Sequence, residues 1–187
     1  MLDLTKHRDC AWNPDLIPKG YDTWDKETFE EWWGRNEVAV FGLPAMLCEQ
    51  WIYKYWCRAQ FSFLPLETLT CEDIEMTASE ILEQVHREFG VTPTPDHDRN
   101  LFENRKLFGG LHPTAQAFAD LNTWDYPIVL LKTPHGIKSY NVEQPHTRLV
   151  LVEGHQRHRY LYALNHFDDA PPGPHKVYVL SSPITEE

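Results

Sequence analysis

The sequence predicts an α+β fold with an acidic, helical N-terminal extension. Two wide apolar patterns of helical period occupy the first half of the chain, at 45–62 and 74–89. In the second half, short apolar runs at 128–132, 148–152 and 176–181 alternate with helical patterns at 112–121 and 155–165. Charge divides the chain in the same place. Residues 1–98 carry 8 Lys+Arg and 19 Asp+Glu, whereas residues 99–187 carry nine of each. Six of the seven Trp lie in the first part and seven of the ten His in the second. The expected organisation is therefore an extension, 1–98, and a domain, 99–187, joined by a linker over 91–100 and packed as one compact unit.

Each element has a local reason. Pro14, Pro18 and Gly20 keep residues 1–22 irregular. Thr23 or Asp25 can cap a short helix, 26–33, that Gly34 closes. Residues 37–41 form a β-prone run. In the helix at 45–62, Met46, Leu47, Trp51, Tyr55 and Arg58 share one face and Cys48, Ile52 and Trp56 a neighbouring one. Its tryptophans read as core, since a stacking platform for single strands needs basic neighbours and these are acidic. Pro65 ends it. Ile74, Ile81, Leu82, Val85 and Phe89 form the apolar set of a second helix, stopped by Gly90. The stretch VTPTPDHDRN, with its prolines and turn formers, reads as the linker. Pro113 suits the first turn of the helix at 112–121. A hairpin is expected around His135-Gly136, and RLVLV at 148–152 reads as a strand buried on both faces.

Composition excludes several classes. A net charge of −11 argues against coating nucleic acid by charge, which needs a basic face. The four cysteines (Cys10, Cys48, Cys57, Cys71) contain no CxxC pair and read as reduced thiols. No apolar run approaches the roughly 20 residues that span a bilayer, and MLDLTKHRDC has no apolar leader core. A soluble cytoplasmic protein is expected.

The most informative segment is LVLVEGHQRHRYLYAL, residues 149–164. A buried strand runs through Glu153-Gly154 directly into a helix. Glycine permits a tight turn, and the first amides of the helix point outward at the positive end of its dipole. Such an end attracts anions. Arg157 and Arg159 stand in the first turns with His155 and His158 beside them, although cations there cost about 0.3–1 kcal/mol each. They need an acidic counterpart. It is either a ligand or a protein carboxylate, with Glu143, Glu153 and Asp125 as candidates.

The pattern E-G-x-x-R-x-R, Glu153 to Arg159 with Ala163 further on, resembles the central motif of the ParB/sulfiredoxin superfamily. The likeness extends over about residues 100–182. A helix leads to Tyr126-Pro127-Ile128-Val129, a final strand follows at 176–181, and Glu103-Asn104-Arg105-Lys106 is similar to an element near the start of ParB domains. The resemblance implies a mixed sheet with helices and a nucleotide-phosphate site lined by Gly154, His155, Gln156, Arg157 and Arg159. It implies a nucleotide of unknown identity as cofactor, with Mg²⁺ as a candidate companion. Sulfiredoxin chemistry does not fit, because His155 stands where the family's catalytic Cys would be and no Cys follows Cys71. A partition clamp does not fit either, since no helix-turn-helix module follows the last strand.

Glu153 is the candidate catalytic residue: it could orient a hydroxyl or hold Mg²⁺, or it could pair with Arg157 or cap the helix. His155 and His158 could share a metal with His112, His135, His146 or His175, yet no HExxH or Cys/His cluster is present and no metal site is assigned. Phe108-Gly109-Gly110 could approach a phosphate or serve only as a loop. Asp96, Asp98 and Glu103 read as solvated acids of the linker. The expected function is binding of a nucleotide or other phosphate-bearing small molecule, with hydrolysis or phosphoryl transfer left open. The alternative is a non-enzymatic regulatory protein that docks a partner through its acidic N-terminal part. A DNA-binding or nuclease role is disfavoured by the charge, and no membrane role is expected.

Overall fold

The structure, a computed structural model, describes residues 1–5, 12–37, 40, 42–56, 60–88, 91–107 and 109–186. Its elements in chain order are β1 (Leu2–Asp3), α1 (Phe29–Asn36), α2 (Ala45–Cys48), β2 (Thr70–Met76), α3 (Ala78–Gln84), β3 (Val85–His86), α4 (Pro95–Asn104), β4 (Lys106–Leu107), β5 (Gly110–Leu111), α5 (Pro113–Leu121), β6 (Ile128–Lys132), β7 (Ile137–Ser139), β8 (Val142–Gln144), β9 (Leu149–Glu153), α6 (His155–His166) and β10 (His175–Ser181). The fold is α+β with mixed sheets. The chain forms two compact units, each discontinuous in sequence. One comprises Met1–Glu72, Leu131–Arg148 and Val179–Glu187, the other Asp73–Leu130 and Leu149–Tyr178.

In the first unit, Thr28 starts α1 through a reciprocal capping box with Glu31. The indole of Trp32 is fully buried and donates to the Leu16 carbonyl at 2.7 Å. Arg35 pairs with Glu27 and donates to the Asp15 and Ile17 carbonyls, 2.7 Å each, which ties the irregular segment to the helix. After α2 the chain widens into a π-helical stretch, Glu49–Tyr53, and Leu47, Cys48, Trp51 and Ile52 are buried along it. Trp12 packs edge-on against Trp51 at 4.9 Å between centroids. Burying such large apolar side chains stabilises by about 1.5–3 kcal/mol each. β1, β7 and β8 make a small sheet in which Leu2 pairs with Ile137 in parallel and β7 with β8 antiparallel.

A five-stranded sheet has the order β2-β10-β6-β9-β3, and of its strands β3 and β9 lie wholly in the second unit. β3 lies parallel to β9, with Val85 opposite Leu149 and His86 opposite Val150. α6 packs with α3 and α4. Phe102 of α4 meets Tyr160 of α6 edge-on at 5.4 Å.

Several expectations need correction. The helix expected at 74–89 is instead a strand, a helix and a strand, because Thr77 and Glu80 form a capping box that starts α3 only after β2 ends. Phe89 and Gly90 lie outside the described residues. The helix expected at 26–33 begins at Phe29 and runs through Gly34 to Asn36, since Thr28 caps it. The linker is largely helix: Pro95 is its first residue, where a proline loses no hydrogen bond. The hairpin turn falls at Tyr140-Asn141, both with positive φ, and not at His135-Gly136. Gly110 enters a two-stranded β4–β5 hairpin. Most of the run at 37–41, and Cys10, Cys57 and Arg58, fall outside the described residues. Cys48 and Cys71 are free thiols, and burial first, then Cys71, pushes the Cys48 thiol up to about 12.

The helix expected at 45–62 is shorter: it stays helical only to residue 55, and residues 60–63 are turn. α5 with Pro113 at its start, β6, β9, α6 and β10 fall within a residue or two of the sequence reading.

Candidate functional site

The strand–glycine–helix unit forms as its composition demands. β9, buried along Val150, Leu151 and Val152, delivers Gly154 at φ +99°, a left-handed conformation natural only to glycine. Space requires glycine as well. A Cβ there would stand 2.7 Å from Ile128 Cγ2 and 3.2 Å from Ile128 Cα. Gly154 is the N-cap of α6, and no side chain caps this helix. Its first amides therefore point outward at the positive end of a twelve-residue helix.

The two arginines are engaged by protein carboxylates. Arg157 is buried, donates through Nε to Asp125 Oδ1 at 2.8 Å, and lies over the Tyr126 ring at 5.4 Å. Asp125 also accepts from Thr114 Oγ1 at 3.2 Å. Of the three acids named for this role, the structure selects Asp125. Arg159 pairs with Asp98 through both Nε and Nη2. Asp98 is fully buried and also accepts the Thr94 amide at 3.1 Å. The expectation that Asp98 is a solvated linker acid is overturned, because α4 carries it inward against α6. Glu103 pairs with Arg99 on the surface.

The sequence reading missed Arg87. It follows β3, next to β9 in the sheet, and comes close to Arg159, Asp98 and His158. Its Nη1 donates to the Val91 carbonyl at 3.2 Å. Among the described residues no carboxylate makes an ion pair with it. Arg87 and Arg159 thus share one acid, Asp98, and burial with the Arg159 charge pulls the Arg87 guanidinium below its ordinary range. The capping box at Thr77 was the available signal: it starts α3 there, α3 ends at Gln84, and the backbone turns extended at Val85–His86 just before Arg87.

His158 is the other unusual group. It is 5% exposed, and neither ring nitrogen has a hydrogen-bond partner among the described residues. Burial, then the Arg87 charge, then His155 push its pKa down to about 3, so it is neutral at pH 7. Each buried polar atom left without a partner costs about 1–3 kcal/mol. Groups of this kind mark strain or function. His155 and Gln156 are half-buried on the first turn, and Gln156 Nε2 donates to the Tyr160 hydroxyl at 2.6 Å. Glu153 ends β9 one residue before the glycine and is half-buried.

His175, a candidate metal partner, is structural. Its Nδ1 faces Thr123 Oγ1 at 3.0 Å and its Nε2 the Pro171 carbonyl at 3.1 Å, and its ring stacks near Trp124 at 4.6 Å. Among the described residues no three His, Cys, Asp or Glu side chains form a set that could hold a metal ion. Asp98 and Asp125 each pair with a guanidinium. No helix among the described residues is long and apolar enough to cross a membrane.

No protein-family model, curated protein or solved structure matches the chain.

Proposed function

We propose that the protein binds a nucleotide or other phosphate-bearing small molecule at the Gly154 turn, in the manner of the ParB/sulfiredoxin-like domains its motif resembles. The observation that carries this reading is the amino end of α6, which no side chain caps, with the Arg87 guanidinium close to His158 and Arg159 of the same helix. Backbone amides at a helix start favour an anion, and a neighbouring Arg supplies charge and a planar fork for phosphate oxygens. Within this reading Arg157 is a positioning residue. Its ion pair to Asp125 and its place over Tyr126 hold the first turn of α6. Glu153, at the mouth of the turn, is the candidate to orient a hydroxyl or water.

Calorimetric titration with ATP, CTP, GTP and ADP in the presence of Mg²⁺ tests the proposal. Binding of at least one is expected, weakened about tenfold or more by Arg157→Ala, a loss of roughly 1.4 kcal/mol. Absence of heat with all four, on folded protein, refutes it.

A further inference from the structure

We infer that Arg87 and His158 form an oxyanion subsite beside the amino end of α6, selective for a phosphate that carries a hydroxyl: inorganic phosphate or the monoester end of a phosphorylated small molecule. This rests on the reading of the Gly154 turn as a phosphate site and names the ligand class it takes. Arg157 and Arg159 each pair with a carboxylate, Asp125 and Asp98, whereas Arg87 has no ion pair of its own among the described residues. His158 stands three residues after His155, on the same helix face, and helical side chains lean toward the amino end. That lean carries the ring toward the first turn of α6.

The chemistry of the ring sets the selectivity. A neutral imidazole has one N–H donor and one nitrogen lone pair. Both are without partners among the described residues. Satisfying both needs a ligand that accepts one hydrogen bond and donates another. Hydrogen phosphate and a phosphomonoester monoanion do so, with P–O⁻ and P–OH. Sulfate and a phosphodiester have no hydroxyl and leave the lone pair bare. Arg87 and His155, both half-buried, are the side chains whose displacement opens His158 to the ligand. The titratable and charged groups facing this ring are Arg87 and His155, with Arg159, Asp98 and Tyr162 around Arg87. Nucleic-acid backbones, being diesters, are disfavoured by the same argument.

The test uses the full chain with sodium phosphate and sodium sulfate at pH 7, read by calorimetry and by ¹⁵N shifts of the His158 ring. Phosphate is expected to bind at least tenfold more tightly than sulfate and to shift both His158 nitrogens. His158→Leu removes the buried unpartnered nitrogens and should fold. It is expected to erase the preference, while Arg87→Gln weakens both anions tenfold or more. Equal affinities in the parent protein, an unmoved His158 ring, or an Arg87→Gln variant that binds as the parent does would overturn the inference. If a nucleotide binds and Arg87→Gln leaves that binding intact, this subsite is wrong and the nucleotide reading stands. If phosphate binds selectively and none of the four nucleotides does, the nucleotide reading fails and the subsite stands. If neither binds, both fail.

Discussion

Asp98→Asn is expected to destabilise the protein by about 3–5 kcal/mol, because it leaves a buried charge without its partner. Asp98 is fully buried, and the Arg159 guanidinium that it receives is largely so. The substitution removes the one carboxylate shared by Arg159 and Arg87, so two guanidiniums face each other at low dielectric. The isosteric amide still accepts the Thr94 amide, so the start of α4 is preserved and the loss reports the charge. For a chain of this size the melting temperature should fall by on the order of 10 °C. Asp98→Asn combined with Arg159→Leu should recover much of the loss, since deleting both charges removes the desolvation cost with the attraction. Urea unfolding of the parent and the two variants checks this. A loss under about 1 kcal/mol in the single variant would show that water reaches the pair.

Gly154→Ala should cost about 2–5 kcal/mol, from about 1–2 for a left-handed residue with a Cβ and about 1–3 for overpacking. The new methyl would overlap Ile128, whose Cγ2, Cβ and Cα stand 2.7, 3.0 and 3.2 Å away. Trimming the neighbour with Ile128→Ala should not restore stability. It removes Cγ2 but leaves Cβ, Cα and the φ of +99° in place, and it opens a cavity at a fully buried position. Denaturant midpoints for the two singles and the double separate the terms. Full rescue in the double variant would mean that the clash alone matters and the backbone conformation costs nothing.

These two positions differ in how far sequence reasoning reaches them. Gly154 was legible because its neighbours are local: a strand of continuous apolar residues, a glycine and a helical period identify the turn with no knowledge of the rest. Arg157 was half legible. The need for a carboxylate followed from the helix dipole, and Asp125 was among the named acids, but the choice depends on where the loop before β6 runs. Asp98 was illegible. VTPTPDHDRN has the composition of a linker, and only packing of α4 on α6 reveals that one of its acids is fully buried. Arg87 was hidden by a period error. The apolar positions from Ile74 to Val85 fit a helix, although TASE, residues 77–80, spells a capping box that places the helix start at Ala78, four residues later than Ile74. Helices and strands with a local signal were found; residues whose role depends on a partner 61 positions away, as Arg159 on Asp98, were not.

The interleaving of the two units has a consequence for the order of synthesis. β1 pairs with β7, so Leu2 must wait for Ile137. At about 5–20 residues per second the interval is roughly 7–27 s. Met1–Glu72 emerges long before Leu131–Arg148 supplies the rest of its unit. The first large indoles, Trp12, Trp32 and Trp51, therefore emerge in a segment whose compact unit is still incomplete, and that unit cannot fold in strict order from one end to the other. A fragment of residues 1–98 made alone is expected to give a collapsed spectrum with poor amide dispersion, whereas the full chain gives a dispersed one. A well-dispersed spectrum for the fragment would show that the early segment closes a core without its late partners.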